Sequence, residues 1–199
     1  MKSTCLFLVL CTLLTAFRSG DNNLEIGSPI PKAEVKLHDI SGREITLNAA
    51  RGSNGLLVMF SANHCPYVLR NQDRTNSVCA YALKNSVGVI LVNSNIALQN
   101  NEESLDAMKA YAAAQQYNWF YVIDKKAEIA DAFDAGHTPE CYLFDKNGRL
   151  SYKGAIDDNP GNADAVKVRH LYNAINEMLT GSAVKTSSTA SLGCNIKRF

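Results

Sequence analysis

The chain has 199 residues, of which 46% are apolar and 20% charged, values that exclude wholesale disorder. Its 20 lysines and arginines against 19 acidic residues leave a formal charge of +1, so no field of one sign draws it to nucleic acid or an anionic membrane surface. The length suits one domain with a sizeable core plus terminal extras.

Lys2 followed by the short apolar run Cys5–Phe17 reads as an export signal, taken as residues 1–20. The run falls short of the roughly 20 apolar residues that a permanent span needs. The mature chain is therefore expected outside the cytoplasm, periplasmic or extracellular and without a membrane span, with an uncleaved anchor or a lipoprotein as the alternative. Removing the signal discards Cys5 and Cys11 and leaves Cys65, Cys79, Cys141 and Cys194. That is too sparse for a disulfide scaffold and lacks the paired C-x-x-C blocks of a zinc site, so neither a metal nor a cofactor is expected.

Residues 21–32 carry Pro29 and Pro31 and read as an extended lead-in to a domain spanning 24–181. Ala33–His38 and Glu44–Leu47 read as short strands around Ser41-Gly42. Gly55–Phe60 and Val87–Val92 are continuous apolar runs of strand length, suited to burial on both faces. Helices are expected over Pro66–Leu83, Glu102–Gln116, Ala127–Phe133 and Ala163–Leu179. Trp119–Ile123 reads as a strand, and Cys141–Phe144 with Leu150–Tyr152 as a hairpin around Asn147-Gly148. Residues 182–199 are rich in Ser, Thr, Gly and Ala and read as a flexible tail carrying Cys194. This order gives a three-layer α/β fold, a central sheet flanked by helices.

Two junctions could carry chemistry. Asn63-His64-Cys65-Pro66 follows a buried strand and opens a helix, where Pro66 is favoured because its missing N–H would have no partner. Cys65 then sits where unpaired amides stabilise an anion, a placement that can lower a thiol from roughly 8.5 into a range of about 3.5 to 7.5. Cys65 could equally be a small buried apolar residue. At the second junction, His137-Thr138-Pro139-Glu140-Cys141 puts a proline at a strand entrance, often a tight and sometimes cis bend.

Together these junctions resemble the thioredoxin superfamily, and more closely the redoxin-type AhpC/TSA-like proteins with an Asn-His-Cys-Pro-Tyr-Val motif, here Asn63 to Val68. The resemblance continues through Val92-Asn93-Ser94-Asn95, Thr138-Pro139-Glu140, Gly154-Ala155-Ile156-Asp157-Asp158 and the tail motif Gly193-Cys194-Asn195-Ile196-Lys197. It implies a thioredoxin-like mixed sheet with an N-terminal strand extension and a thiol oxidoreductase or antioxidant acting through Cys65. Its substrate would be a disulfide-bearing protein or a peroxide, with an external thiol as reductant. By the same resemblance Pro139 is a cis-proline packed against the thiol, and the Thr138 backbone pairs with an extended substrate. His64, Pro66, Thr138 and Pro139 make up the substrate-contacting set.

Three departures matter. Val68 stands where a dithiol thioredoxin has its second cysteine. Val58 and Ala62 replace the proline and hydroxyl residue of the peroxide-activating pattern, and His137 replaces the cysteine that many relatives carry before Thr-Pro. Turnover needs a resolving partner: Cys194 at the end of a tether reaching roughly 20 Å, Cys141 near Pro139, or an outside thiol. Cys79 reads as packing. Asp157-Asp158 reads as loop-forming, with proton transfer at Cys65 as the sharper option. Two other functions remain open: copper held by Cys65, Cys141 and His137, and a redox-silent module binding extended peptides beside Pro139.

Overall fold

The computed structural model describes residues 24–198, so the expected export signal lies outside them. The two apolar runs form the centre of the sheet. Strand β3 (Gly55–Phe60) pairs in parallel with β4 (Val87–Asn93), from Gly55 opposite Val87 to Phe60 opposite Val92. Both are buried at every position because each face carries its own core. Leu56, Val58 and Phe60 join one apolar cluster, and Leu57 and Met59 join the other. Each such side chain contributes about 1.5–3 kcal/mol by leaving water.

Strand β5 (Phe120–Ile123) extends the parallel set beside β4, and β1 (Leu37–Asp39) with β2 (Glu44–Ile45) adds an antiparallel edge. On the other side β7 (Glu140–Phe144) and β8 (Leu150–Gly154) continue antiparallel, giving the order β2-β1-β5-β4-β3-β7-β8. Helix α4 (Glu128–Phe133) packs Ile129, Ala130 and Phe133 into the first cluster. Helices α2 (Gln72–Lys84), α3 (Leu105–Ala114) and α5 (His170–Leu179) pack into the second, which yields the expected three layers and mixed sheet.

The first strand starts at Leu37 rather than Ala33 and the second stops at Ile45 rather than Leu47, and four larger differences from the sequence expectation bear on the site. The helix expected over 66–83 divides at Asn71 into α1 (Pro66–Arg70) and α2. There the Asn71 amide donates to the Tyr67 and Pro160 carbonyls at 2.7 and 3.0 Å, a side chain competing with the helix ladder. Helix α3 starts only at Leu105, because the Ser104 hydroxyl caps it by accepting the Ala107 amide. Helix α5 begins at His170 rather than Ala163. Asn162 caps a single 3-10 turn over Ala163–Ala165, and Asp158 takes the Lys167 amide.

The fourth difference is the tail, which is anchored at two places despite its tether-like composition. The Thr189 hydroxyl accepts the Ala155 amide at 3.0 Å, and the Thr189 and Lys153 backbones are hydrogen-bonded. Gly154 permits this approach: at φ 133° it lies in the region glycine favours, and a side chain there would strike Thr189. Further on, β9 (Cys194–Asn195) pairs antiparallel with β6 (His137–Thr138) to form a separate two-stranded sheet. Among the described residues no helix is long and apolar enough to cross a membrane.

Candidate active site

The parallel strands end at one edge of the sheet, and the loops leaving that edge carry the reactive groups. From the end of β3, Ser61 to His64 lead into Cys65, which occupies the N-cap of α1 with Pro66 as its first residue. Helix geometry leaves the Tyr67 and Val68 amides without acceptors within the helix, and no acidic side chain stands in that first turn. Cys65 is 5% exposed and packs with Ala62 and Val68. Val68 thus serves as apolar packing where a second thiol would stand in a dithiol motif.

A short polar lattice fixes the approach to Cys65. Glu103, only 1% exposed, accepts the Asn63 amide with both carboxylate oxygens at 3.0 and 2.9 Å and the His64 amide at 3.3 Å. The Asn93 side-chain amide donates to the same carboxylate at 2.6 Å, and the Tyr121 hydroxyl donates to Asn63 at 3.0 Å. Burial holds the Glu103 carboxyl above its ordinary value, with the N–H donors pulling partly back. The lattice continues outward, since Asn93 accepts the Asn95 amide at 3.1 Å and Asn95 accepts the Lys197 amide of the tail at 2.7 Å.

Across from Cys65, the Thr138–Pro139 peptide is cis, as the resemblance implied. Glu140 accepts the Gly136 and His137 amides at 2.9 and 3.1 Å and so shapes the approach to this bend. The Cys65 sulfur lies 3.1 Å from the Thr138 carbonyl oxygen. It has no proton to donate there, because it is bonded to Cys194 in a disulfide with a Cα separation of 6.0 Å. After reduction the Cys65 thiol can donate to that carbonyl, whereas its thiolate is favoured by the free amides of α1.

Of the residues singled out from sequence, Cys65, Pro66, Thr138, Pro139 and Cys194 therefore meet at one place. His64 offers its backbone to Glu103 but its side chain is exposed. His137 is half-buried and pairs with Asn195. Cys141 does not join them: it is fully buried in the second core, and burial pushes its thiol far up, as it does that of Cys79. Along β7 the side chains alternate, and Cys141 falls with Leu143 on the face that lines the second core. The copper reading needed Cys65, Cys141 and His137 to converge, and they do not. Among the described residues no group of three potential ligand side chains could hold a metal ion. Asp157 is committed to an ion pair with Arg74 at 2.6 Å and orders the loop at Asn159, which answers to the loop-forming reading.

Sequence reasoning misses Glu103, which it places in the first turn of a helix. The available signal is the polar run Asn93-Ser94-Asn95 at the end of a wholly apolar strand. Buried polar side chains there require partners.

The model of the AhpC/TSA family matches residues 26–153. A thiol-disulfide oxidoreductase ResA of Geobacillus thermodenitrificans is 27% identical over 154 residues, covering 75% of this chain and 83% of that protein. The crystal structure of a hypothetical protein from Sinorhizobium meliloti superposes with a TM-score of 0.80 at 32% identity, covering 89% of this chain and 96% of that one. A secreted disulfide oxidoreductase of Mycobacterium tuberculosis, at 12% identity and TM-score 0.56, covers 73% of this chain and 96% of that one and shares the fold.

Proposed function

The chain belongs to the AhpC/TSA family, and from that starting point we propose that it is a thiol-disulfide oxidoreductase in which Cys65 attacks and Cys194 resolves. One observation carries this reading: the two sulfurs are joined directly beside the cis Thr138–Pro139 bend. The name of the ResA relative supports the same chemistry.

In the reducing direction the Cys65 thiolate attacks one sulfur of a protein disulfide. The second substrate sulfur leaves and takes a proton. Cys194 then attacks the Cys65 sulfur, releases the first substrate thiol and forms the internal disulfide. Two electrons have passed from the cysteine pair to the substrate, and an external dithiol returns them. Cys194 replaces the absent second cysteine of a C-x-x-C motif, which accounts for Val68. Protein disulfides are favoured over peroxides because Val58 and Ala62 are buried apolar residues with no hydroxyl to activate a peroxide. We place this activity outside the cytoplasm, in keeping with the apolar run Cys5–Phe17.

The test is turnover of a model protein disulfide with a dithiol reductant. Cys65→Ser should be inert, and Cys194→Ser should accumulate a mixed disulfide between Cys65 and substrate, visible on non-reducing gels. Wild-type turnover by Cys65→Ser would overturn the reading, because the exchanging thiol would then lie elsewhere. A wild-type chain that turns nothing over, with a wild-type phenotype for Cys65→Ser, would favour a redox-silent peptide-binding module.

A further inference from the structure

The tail docks as more than a carrier of Cys194. Gly193 lies so close to the Thr138 backbone that any side chain would overlap it. Cys194 pairs with Thr138 and Asn195 with His137, leaving the Asn195 side chain exposed. Ile196 is 6% exposed, sits in the same apolar cluster as Phe133 and Ala135, and donates its amide to Gly136 at 3.0 Å. The Lys197 backbone is held from both sides, its amide by Asn95 at 2.7 Å and its carbonyl by the Ala97 amide at 3.1 Å. Arg198 pairs with Asp131 at 2.8 Å and donates to the Ala135 carbonyl at 2.7 Å. The stretch from Gly193 to Arg198 therefore meets built contacts throughout, and those at Gly193, Ile196 and Arg198 constrain the side chain.

A substrate sulfur joined to Cys65 lies one S–S bond from it, as the Cys194 sulfur does, and the Thr138 backbone stands beside that bond. The segment carrying that sulfur then lies along the same open edge, His137–Thr138, and meets the same neighbours. We propose that the Cys65 groove selects partner proteins presenting an extended Gly-Cys-x-aliphatic-x-basic segment, for which residues 193–198 are the resident competitor. The inference rests on Cys65 being the exchanging thiol. Main-chain pairing supplies affinity, while the glycine contact, the Ile196 pocket and Asp131 supply selection. Two segments cannot pair with one edge, so the returning tail displaces the substrate as Cys194 resolves the mixed disulfide.

The test uses the full chain carrying Cys194→Ser and a synthetic peptide, Ser-Leu-Gly-Cys-Asn-Ile-Lys-Arg, with its cysteine joined to 2-nitro-5-thiobenzoate. Attack by Cys65 on the peptide sulfur forms the Cys65–peptide disulfide and releases the coloured thiolate, whose rate is followed. This peptide should react about tenfold or more faster than versions with Gly→Ala, Ile→Asp or Arg→Glu, because each removes one selecting contact. The same glycine change made in the chain, Gly193→Ala, should act oppositely and speed the reaction by loosening the resident tail. The symmetrical nitrobenzoate disulfide, which has no peptide, reports the competence of Cys65 alone. If it reacts while all peptides react alike, the selection proposed here is wrong and the oxidoreductase reading stands. If it fails to react, both fall. Reduced wild-type chain run in parallel gives the same ranking, so a folding defect in the variant cannot mask the result.

Discussion

Thr138 touches both halves of the disulfide: its backbone pairs with Cys194 and its carbonyl oxygen lies 3.1 Å from the Cys65 sulfur. The strand edge beside the cis-proline is thus filled by the chain's own C-terminus. The disulfide and the tail contacts close the same groove, the one covalently and the others by hydrogen bonds and packing.

Reduction should therefore loosen the tail and leave it held by its non-covalent contacts alone. The disulfide joins positions 129 apart in sequence, and closing so long a loop restricts the unfolded chain by about 4–5 kcal/mol in the entropic treatment. The urea midpoint should fall on reduction, and the Ile196 and Lys197 amides should exchange with solvent faster than before. Unchanged protection of those two amides in the reduced protein would mean that the tail stays docked without its covalent bond.

The four cysteines among the described residues should separate into two classes under alkylation. In the reduced native protein a haloacetamide should modify Cys65 and Cys194, whereas Cys79 and Cys141 stay unmodified until the chain is unfolded. Both silent thiols are fully buried, and desolvation disfavours the thiolate that must react. Peptide mass spectrometry after short labelling decides this. Modification of Cys141 at a rate comparable to Cys65 would return it to the list of resolving partners.

Much of this was legible in the residues. The runs 55–60 and 87–92 announce strands buried on both faces, because no polar residue interrupts them. Cys65-Pro66 announces a thiol at a helix start, because proline tolerates the first turn and little beyond it. The tail was harder to read, since its anchors are single contacts at Thr189, Gly193, Ile196 and Arg198 that depend on distant backbone. Glu103 was hidden for a related reason. Its role comes from 40 residues away in sequence, at Asn63, and a carboxylate near a helix start ordinarily reads as a solvent-exposed cap.

Val68 offers a way to release Cys194 from its duty. It packs in the same small cluster as Cys65, three positions along the chain, so Val68→Cys recreates a C-x-x-C pair at the head of α1. The new thiol competes with Cys194 at much shorter range. Peptide mapping without reduction should then show Cys65 bonded to the introduced thiol and a larger share of free Cys194. A map still dominated by the Cys65–Cys194 bond would show that tail docking outweighs proximity along the helix.

Glu103→Gln tests the lattice that sets the approach to Cys65. Every partner of the Glu103 carboxylate is an N–H donor, from Asn63, His64 and Asn93. Glutamine keeps the volume but brings an NH2 group among donors, leaving one of them unsatisfied at a cost of about 1–3 kcal/mol. The pH dependence has a definite sign. Burial raises the folded carboxyl above its ordinary value near 4.5, so the native state holds that proton more tightly than the unfolded chain does. Stability from this group is fully present below the unfolded value and is lost as the pH rises through the folded one. Glutamine does not titrate, and the protonated carboxyl carries a donor much as glutamine does, so the stability of wild type relative to the variant should fall as the pH rises through the folded value. Urea titrations of both proteins across that range measure it, alongside the alkylation rate of Cys65, which should fall in the variant as the loop at Asn63 loosens. A relative stability that rises with pH would mean that the converging N–H groups outweigh burial, and that Glu103 works as a stabilised anion.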